Sequence, residues 1–143
     1  MRFCNKSATM EKRPRLDSML CERLTSDTTV EVLIDSADPS GRMLYFGLTL
    51  RGEVSPDVQC RISVSPALHS GIVPSQLFQL LLESLDLEVK GGGACGLPLT
   101  WCCLTVTGVD YCEVRSTEMA VRLAAATAFK TFLQQATLLI DNL

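Results

Sequence analysis

The chain has 143 residues, of which 47% are apolar and 20% charged, and its formal net charge at pH 7 is −3. This length fits a single domain with one hydrophobic core, and the small negative charge excludes a global field that would attract phosphates. Because no apolar run reaches the roughly 18 to 20 residues that cross a bilayer, no membrane partner is expected.

Residues 1–27 are polar and mixed in charge, and they predict a flexible N-terminal arm ahead of one α+β domain at residues 28–143. A short helix over residues 15–24 is predicted within the arm, because its apolar residues fall at helical spacing. No export signal is recognised, which predicts a location in the nucleus or the cytoplasm. The densest basic cluster of the arm is a candidate contact for an import receptor or a nucleic acid: Lys12, Arg13 and Arg15.

Three segments with a period of two predict an antiparallel meander with one wet face. The first strand begins at Thr28 and stops at the turn-forming residues 37–41. The second covers residues 42–52, and the third follows a turn at residues 53–57 and covers residues 58–64.

Pro74 lies at the expected first turn of a helix over residues 75–89. Apolar residues occupy so many positions of this segment that the helix is predicted to be buried on more than one side. Residues 91–93 are all glycine and end the helix, since glycine accepts the conformation of a helix terminus at little steric cost.

Residues 99–107 and 111–114 predict a second hairpin around a tight reversal at residues 108–110. Ser116 then supplies the predicted N-cap oxygen of a last helix over residues 117–140. The element order β-β-β-α-β-β-α predicts an α+β fold with a mixed, largely antiparallel sheet whose helices pack on one face.

The chain carries none of the common catalytic or nucleotide-binding motifs. Its seven cysteines are odd in number and lack an export signal, which favours reduced thiols. Cys102 and Cys103 are adjacent in a predicted strand and point to opposite faces, which disfavours a shared zinc ion. His69 is the single histidine and is weak support for acid–base or Cys–His chemistry. We therefore expect no catalytic residue, no metal and no cofactor.

The apolar content exceeds what a lone domain of this size needs, and it predicts that some apolar surface is shielded by a protein partner or a second copy of the chain. One candidate surface is the strand face opposite the core, unless the arm or the last helix covers it. Another is the outer side of the first long helix. The predicted partner-binding residues on these two surfaces are Leu33, Met43, Tyr45, Leu77, Leu80, Leu81 and Leu87.

The main alternative is an RNA- or DNA-binding module, which is not favoured by the net charge of the chain. A thiol-dependent enzyme is a third and still less favoured class. In the nucleic-acid alternative the basic arm would act with scattered cationic side chains, which are Arg42, Arg51, Arg61, Arg115, Arg122 and Lys130.

Residues 74–133 run through a helix, a glycine-containing loop, a hairpin and an alanine-rich helix. This segment resembles a degenerate double-stranded-RNA-binding domain, whose closing helix has a similar run of alanines, here Ala120, Ala124, Ala125, Ala126 and Ala128. That family grips phosphates with a lysine cluster at the start of its last helix, where this chain has Ser116, Thr117, Glu118 and Met119. The resemblance therefore implies a divergent member that binds proteins, and the first half is similar in topology to the RWD scaffolds of multisubunit assemblies.

Overall fold

The computed structural model of the chain describes residues 2–3, 19–68, 71 and 73–143. Within these ranges the polypeptide forms two α-helices and seven β-strands, and the strands join in one sheet. In chain order the elements are β1 (Arg2–Phe3), β2 (Leu20–Leu24), β3 (Thr28–Ala37), β4 (Met43–Gln59), β5 (Arg61–Val64), α1 (Ser75–Lys90), β6 (Leu99–Asp110), α2 (Glu118–Gln135) and β7 (Leu138–Asn142).

The sheet is mixed and largely antiparallel, which confirms the predicted α+β class. Its strand order is β1-β7-β2-β6-β4-β3, and β5 also pairs with β6. One edge of β6 pairs along β4, whereas the other edge pairs in parallel first with β2 and then with β5. The strand β6 is therefore the centre of the sheet.

The strands β3 and β4 form the predicted hairpin through ten successive pairs. Asp38 closes the turn, because its carboxylate accepts hydrogen bonds from the backbone N–H groups of Ser40 and Arg42. Gly41 follows with a φ of 87°, a conformation that side chains rarely adopt. Alternation along both strands buries one face in the core and leaves the opposite face open.

Both helices cover the same face of the sheet, and α2 packs against β3, β4 and α1. Thr117 caps α2, since its side-chain oxygen accepts a hydrogen bond from the N–H of Ala120 at 3.3 Å. Buried alanines along α2 allow the helix to approach the strands closely. Phe132 lies directly over Gly52, where a Cβ atom would be only 2.2 Å from the ring.

The helix predicted over residues 15–24 is wrong in its described part, because Leu20–Leu24 is the strand β2. β2 lies inside the sheet between β7 and β6. Its fully buried residues are Cys21, Glu22 and Leu24. The folded domain therefore begins before residue 28, and a flexible arm over the whole of residues 1–27 is not what the structure has.

The turn predicted at residues 53–57 does not end a strand, since β4 continues through an irregularity between Val54 and Gln59. The next strand, β5, begins only at Arg61 and runs antiparallel to β4 as predicted. It pairs with β6, however, which lies between β4 and β5. The predicted meander therefore has the correct strand directions but the wrong pairing, because β6, which comes later in the chain, lies between β4 and β5.

The second predicted hairpin is wrong as well. β6 is one continuous strand, and Gly108 pairs with Thr49 next to a β-bulge instead of reversing the chain. Residues 111–117 form a loop. The last helix, predicted over residues 117–140, ends at Gln135 and is followed by β7, which pairs antiparallel with β2.

Candidate interaction surface

The open sheet face carries exposed apolar side chains at the turn end of the β3–β4 hairpin. Three cross-strand pairs, every second pair along the hairpin, lie on this face, because paired residues share one face of a sheet. The pairs are Leu33 with Gly47, Asp35 with Tyr45 and Ala37 with Met43. Leu33 is 56% exposed and Met43 is 48% exposed, while Tyr45 is half-buried. The helices cover the opposite face, so among the described residues this region is uncovered.

The loop after β6 extends this region along the edge of β4. The N–H of Tyr45 donates to the carbonyl of Arg115 at 3.1 Å, and the hydroxyl of Ser116 donates to the carbonyl of Tyr45 at 2.6 Å. Val114 stands just before these contacts and is 87% exposed. The loop therefore carries an exposed apolar residue directly before Arg115.

A polar cluster lies between Leu33 and Met43 on this face. The guanidinium of Arg115 lies 5.0 Å from the ring centroid of Tyr45 and forms an ion pair with Asp35. The hydroxyl of Tyr45 donates to the carboxylate of Asp110 at 2.5 Å, and this hydrogen bond raises the pKa of the phenol above its usual value. We call the region the hairpin-end surface; its members are Leu33, Asp35, Met43, Tyr45, Asp110, Val114 and Arg115.

The contacts within the cluster hold its side chains in one arrangement, so an incoming molecule meets ordered groups. Tyrosine and arginine are the residue types that most often dominate binding at protein interfaces. The Nε atom of Arg115 is buried and has no hydrogen-bond partner among the described residues, which leaves one donor of the cluster unsatisfied. Among those residues there is also no group of three or more side chains placed to hold a metal ion.

The structure separates the predicted contact residues of the first helix. Leu81 is fully buried, so its prediction as an accessible contact is wrong. Leu77 and Leu80 are half-buried and pack against the core, because α1 lies against α2 on that side. Leu87, by contrast, is 68% exposed. The four leucines do not form one outer surface.

The cationic residues of the nucleic-acid alternative do not converge. Arg51, Arg61 and Arg115 each form an ion pair with a carboxylate. Arg122 and Lys130 lie on α2, on the opposite side of the sheet from Arg51. The basic cluster Lys12, Arg13 and Arg15 and the single histidine His69 lie outside the described residues, so their roles stay predictions.

The contribution of the loop over residues 111–117 differs from the prediction, because the sequence pattern favours a second hairpin there. The predicted helix cap at Ser116 is also wrong, since Thr117 caps α2 and the hydroxyl of Ser116 donates to the backbone carbonyl of Tyr45. The exposure of Val114 follows from the position of the loop beside β4, and no pattern in the sequence indicates it.

A buried carboxylate lies on the other side of β6, in β2. Glu22 is fully buried and accepts hydrogen bonds from the N–H groups of Cys95 at 2.9 Å and Leu97 at 3.0 Å. Burial raises the pKa of Glu22, although these amide hydrogen bonds oppose the effect. A Cβ atom on Gly93 would lie 2.5 Å from the carboxyl carbon, so a side chain there would displace the carboxylate of Glu22. The glycine-rich loop thus encloses a buried acid.

The cysteines differ in state. Cys95 is disulfide-bonded, so the prediction of uniformly reduced thiols is wrong at this residue. The described cysteines with free thiols are Cys21, Cys60, Cys102, Cys103 and Cys112.

A groove of about 810 Å³ lies on the helix side of the sheet, between the start of α1 and the end of β6. Its lining is mainly apolar and includes Phe78, Leu82 and Val109. Residues 69, 70 and 72 of the adjoining loop lie outside the described part of the chain. The hairpin-end surface, whose residues are all described, is the better-defined candidate.

Neither helix in the described part of the chain has the length and apolar character needed to cross a membrane. No protein-family model matches the chain. Among solved structures, the chain is similar to a protein from Thermus thermophilus, with a TM-score of 0.67 and 21% sequence identity. The match covers 86% of this chain and 18% of that protein, so the chain spans less than a fifth of its relative's length. At this identity the likeness shows the fold alone.

Proposed function

We propose that this domain is a non-enzymatic protein-binding module, acting as a subunit or adaptor of a complex in the nucleus or cytoplasm, and that it meets its partner through the hairpin-end surface. The observation that carries the proposal is the pair of exposed apolar side chains Leu33 and Met43 on one face of the hairpin, with Arg115 over the ring of Tyr45 between them. Val114, the neighbour of Arg115 in the chain, is exposed as well. An apolar contact area with an ordered aromatic–arginine pair at its centre is typical of protein interfaces.

The charges of the surface favour a particular kind of partner. Two carboxylates, Asp35 and Asp110, stand beside one guanidinium, that of Arg115. The cluster therefore has an excess of negative charge, and a partner with a lysine, an arginine or another hydrogen-bond donor complements it. A second copy of the chain meets this requirement only if it presents a different surface, because two identical acidic clusters repel each other.

The energies involved suit a reversible interaction. Fully burying a large apolar side chain contributes about 1.5–3 kcal/mol. Leu33 and Met43 are about half exposed already, so each has roughly 1 kcal/mol still to contribute. Because association itself costs several kcal/mol, these residues need the desolvated Tyr45–Arg115 pair to reach a useful affinity.

The experiment compares the purified wild-type chain with the double variant Leu33→Glu/Val114→Glu. Sedimentation velocity over a concentration series measures self-association, and quantitative affinity purification from cell extract measures partner capture. We expect the wild-type chain to bind a partner or a second copy of itself, and we expect the double variant to lose that binding. Both substituted side chains are exposed, so the urea-unfolding midpoint of the variant should match that of the wild type.

The control is Leu87→Glu, which adds one negative charge, half of what the double variant adds, at an exposed leucine on α1. It should leave association intact. If the control abolishes association and the double variant does not, the partner binds α1 and the proposed surface is wrong. A wild-type chain that stays monomeric and captures no partner beyond those of the double variant contradicts the protein-binding proposal itself.

Direct RNA or DNA binding is the alternative, and the pairing of its central arginines makes it the weaker one. Titration of labelled duplex RNA at about 50 mM and about 200 mM salt separates the two functions, because phosphate contacts weaken steeply as salt rises. Tight, salt-sensitive binding by the wild-type chain that persists in Leu33→Glu/Val114→Glu would favour the alternative.

A further inference from the structure

Two free thiols meet where the chain crosses from β4 to β5. Cys60 is the residue between these strands, and the backbone pairs on either side of it bracket one short stretch of β6. These pairs are Gln59 with Thr100 and Arg61 with Cys103. Cys60 packs against the core cluster that contains Cys102, and each thiol shifts the pKa of the other. The crossover therefore places Cys60 next to β6 at the level of Cys102.

The two cysteines have different surroundings. Cys102 is fully buried in the core, whereas Cys60 is half-buried and can be reached from solvent. The interaction between the two thiols lowers the pKa of Cys60 and raises the pKa of Cys102. Because Cys60 can be reached from solvent and Cys102 cannot, Cys60 is the thiol that meets an oxidant first, and its lowered pKa favours the reactive thiolate.

We propose that Cys60 and Cys102 form a reversible disulfide bond and that the oxidant is a hydroperoxide, for which hydrogen peroxide is the probe. This inference is independent of the hairpin-end surface. It assigns a modification site to the crossover between β4 and β5.

The reaction proceeds in two balanced steps. The thiolate of Cys60 attacks one oxygen of hydrogen peroxide, the O–O bond breaks, and the departing hydroxide takes up a proton to become water. Cys60 is then a sulfenic acid. The sulfur of Cys102 attacks it, the S–S bond forms, the S–O bond breaks, and the proton of Cys102 leaves with the hydroxide as a second water. Two thiols are oxidised by two electrons, and one peroxide is reduced to two waters.

The neighbouring cysteine provides a matched control. Cys103 follows Cys102 in β6, so its side chain lies on the open face of the sheet. Its sulfur contacts the hydroxyl groups of Ser63 at 3.5 Å and Thr105 at 3.8 Å. It is thus adjacent in sequence to the buried partner but on the opposite side of the strand from it.

The test treats the folded chain with increasing hydrogen peroxide, blocks the remaining thiols with iodoacetamide and maps the peptides by mass spectrometry. We expect a cross-linked peptide pair containing Cys60 and Cys102, about 2 Da lighter than the two reduced peptides in accordance with the loss of two hydrogens, which dithiothreitol separates. In Cys103→Ser the same cross-link should form at the wild-type peroxide concentration. In Cys60→Ser it should be absent, and Cys102 should remain an intact thiol.

A third variant identifies the order of the steps. In Cys102→Ser the sulfenic acid of Cys60 has no resolving thiol, so it should be trapped by dimedone in higher yield than in the wild-type chain. The proposal is overturned if wild-type Cys60 is oxidised no faster than Cys112, or if it ends as sulfinic acid without a cross-link. A cross-link from Cys60 to any cysteine other than Cys102 overturns it as well. Circular dichroism of each variant checks that the sheet is intact before oxidation.

Discussion

The substitution Gly52→Ala tests the packing of α2 on the sheet. A Cβ atom at Gly52 would lie 2.2 Å and 2.4 Å from two ring carbons of Phe132, a ring with no exposed surface. Carbon atoms in contact prefer about 3.5–4.0 Å. The added methyl group therefore overlaps the ring by more than about 1 Å, and either the ring or the strand has to move.

Overpacking a core by one methyl group costs typically about 1–3 kcal/mol, and the overlap at Phe132 places this case near the upper end. Alanine loses less backbone entropy than glycine on folding, and this difference offsets about 0.5–1 kcal/mol of the packing cost. We expect a net loss of about 2 kcal/mol in the free energy of unfolding, which for a chain of this size lowers Tm by about 4–8 °C.

Urea unfolding followed by circular dichroism measures the change for Gly52→Ala alone and in a Phe132→Leu background. Leucine is smaller than phenylalanine, so the glycine substitution should cost at least about 1 kcal/mol less in that background. Gly91→Ala is the control, because Gly91 has a φ of −72° and its nearest atom, the carbonyl oxygen of Glu88, is 3.3 Å away. An equal cost of Gly52→Ala in both backgrounds, or no cost in either, would refute the packing argument.

Other expectations concern single groups. Thr117→Ala should lower stability by about 1 kcal/mol by removing the cap on the N–H of Ala120, and Thr117→Ser should restore it, as thermal unfolding will measure. Because burial penalises the charged form of Glu22 and raises its pKa, the stability of the wild-type chain relative to Glu22→Gln should be highest below about pH 4.3 and fall as the pH rises through the raised pKa. Urea midpoints from about pH 3.5 to about pH 7 check this, and a difference that grows with pH contradicts it. Asp110→Asn should lower the pKa of the Tyr45 phenol, which ultraviolet absorbance of the phenolate follows with Tyr45→Phe as the blank, whereas an unchanged titration would mean that the two groups do not interact.

The elements that the sequence predicts well are those stabilised by local chemistry. The β3–β4 hairpin depends on alternation and on the turn at Asp38, and both are visible in neighbouring residues. The first helix begins just after Pro74 and ends just before Gly91, as expected from proline at a helix start and glycine at a helix end.

The elements that it predicts poorly depend on partners far along the chain. The apolar spacing in β2 fits a helix as well as a strand, and pairing with β7 decides the outcome. Gly108 resembles a turn residue, but Thr49 of β4 lies against it and a bulge forms instead. In each case a long-range hydrogen-bonding partner overrides the local preference.

The candidate surface shows the same division. Alternation alone places Leu33, Met43 and Tyr45 on the face opposite the core, and the structure leaves that face open. The contribution of Val114 and Arg115 depends on how the loop after β6 lies beside β4, which no periodicity encodes. Leu81 was misassigned because the strongly apolar helix gives little indication of which side faces outward.

The pairing of β2 with β7 has a consequence for shortened forms of the chain. Five residue pairs join β2 to β7 but only two join it to β6, and Thr25 binds the carbonyl of Thr137, 112 positions later. A premature stop after Gln135 would remove β7 and would therefore leave β2 without its main neighbour in the sheet. A truncation at the carboxyl end would therefore release β2, which lies near the amino end of the chain. The carboxylate of Glu22 in β2 would then lose its hydrogen bonds with the loop that encloses it.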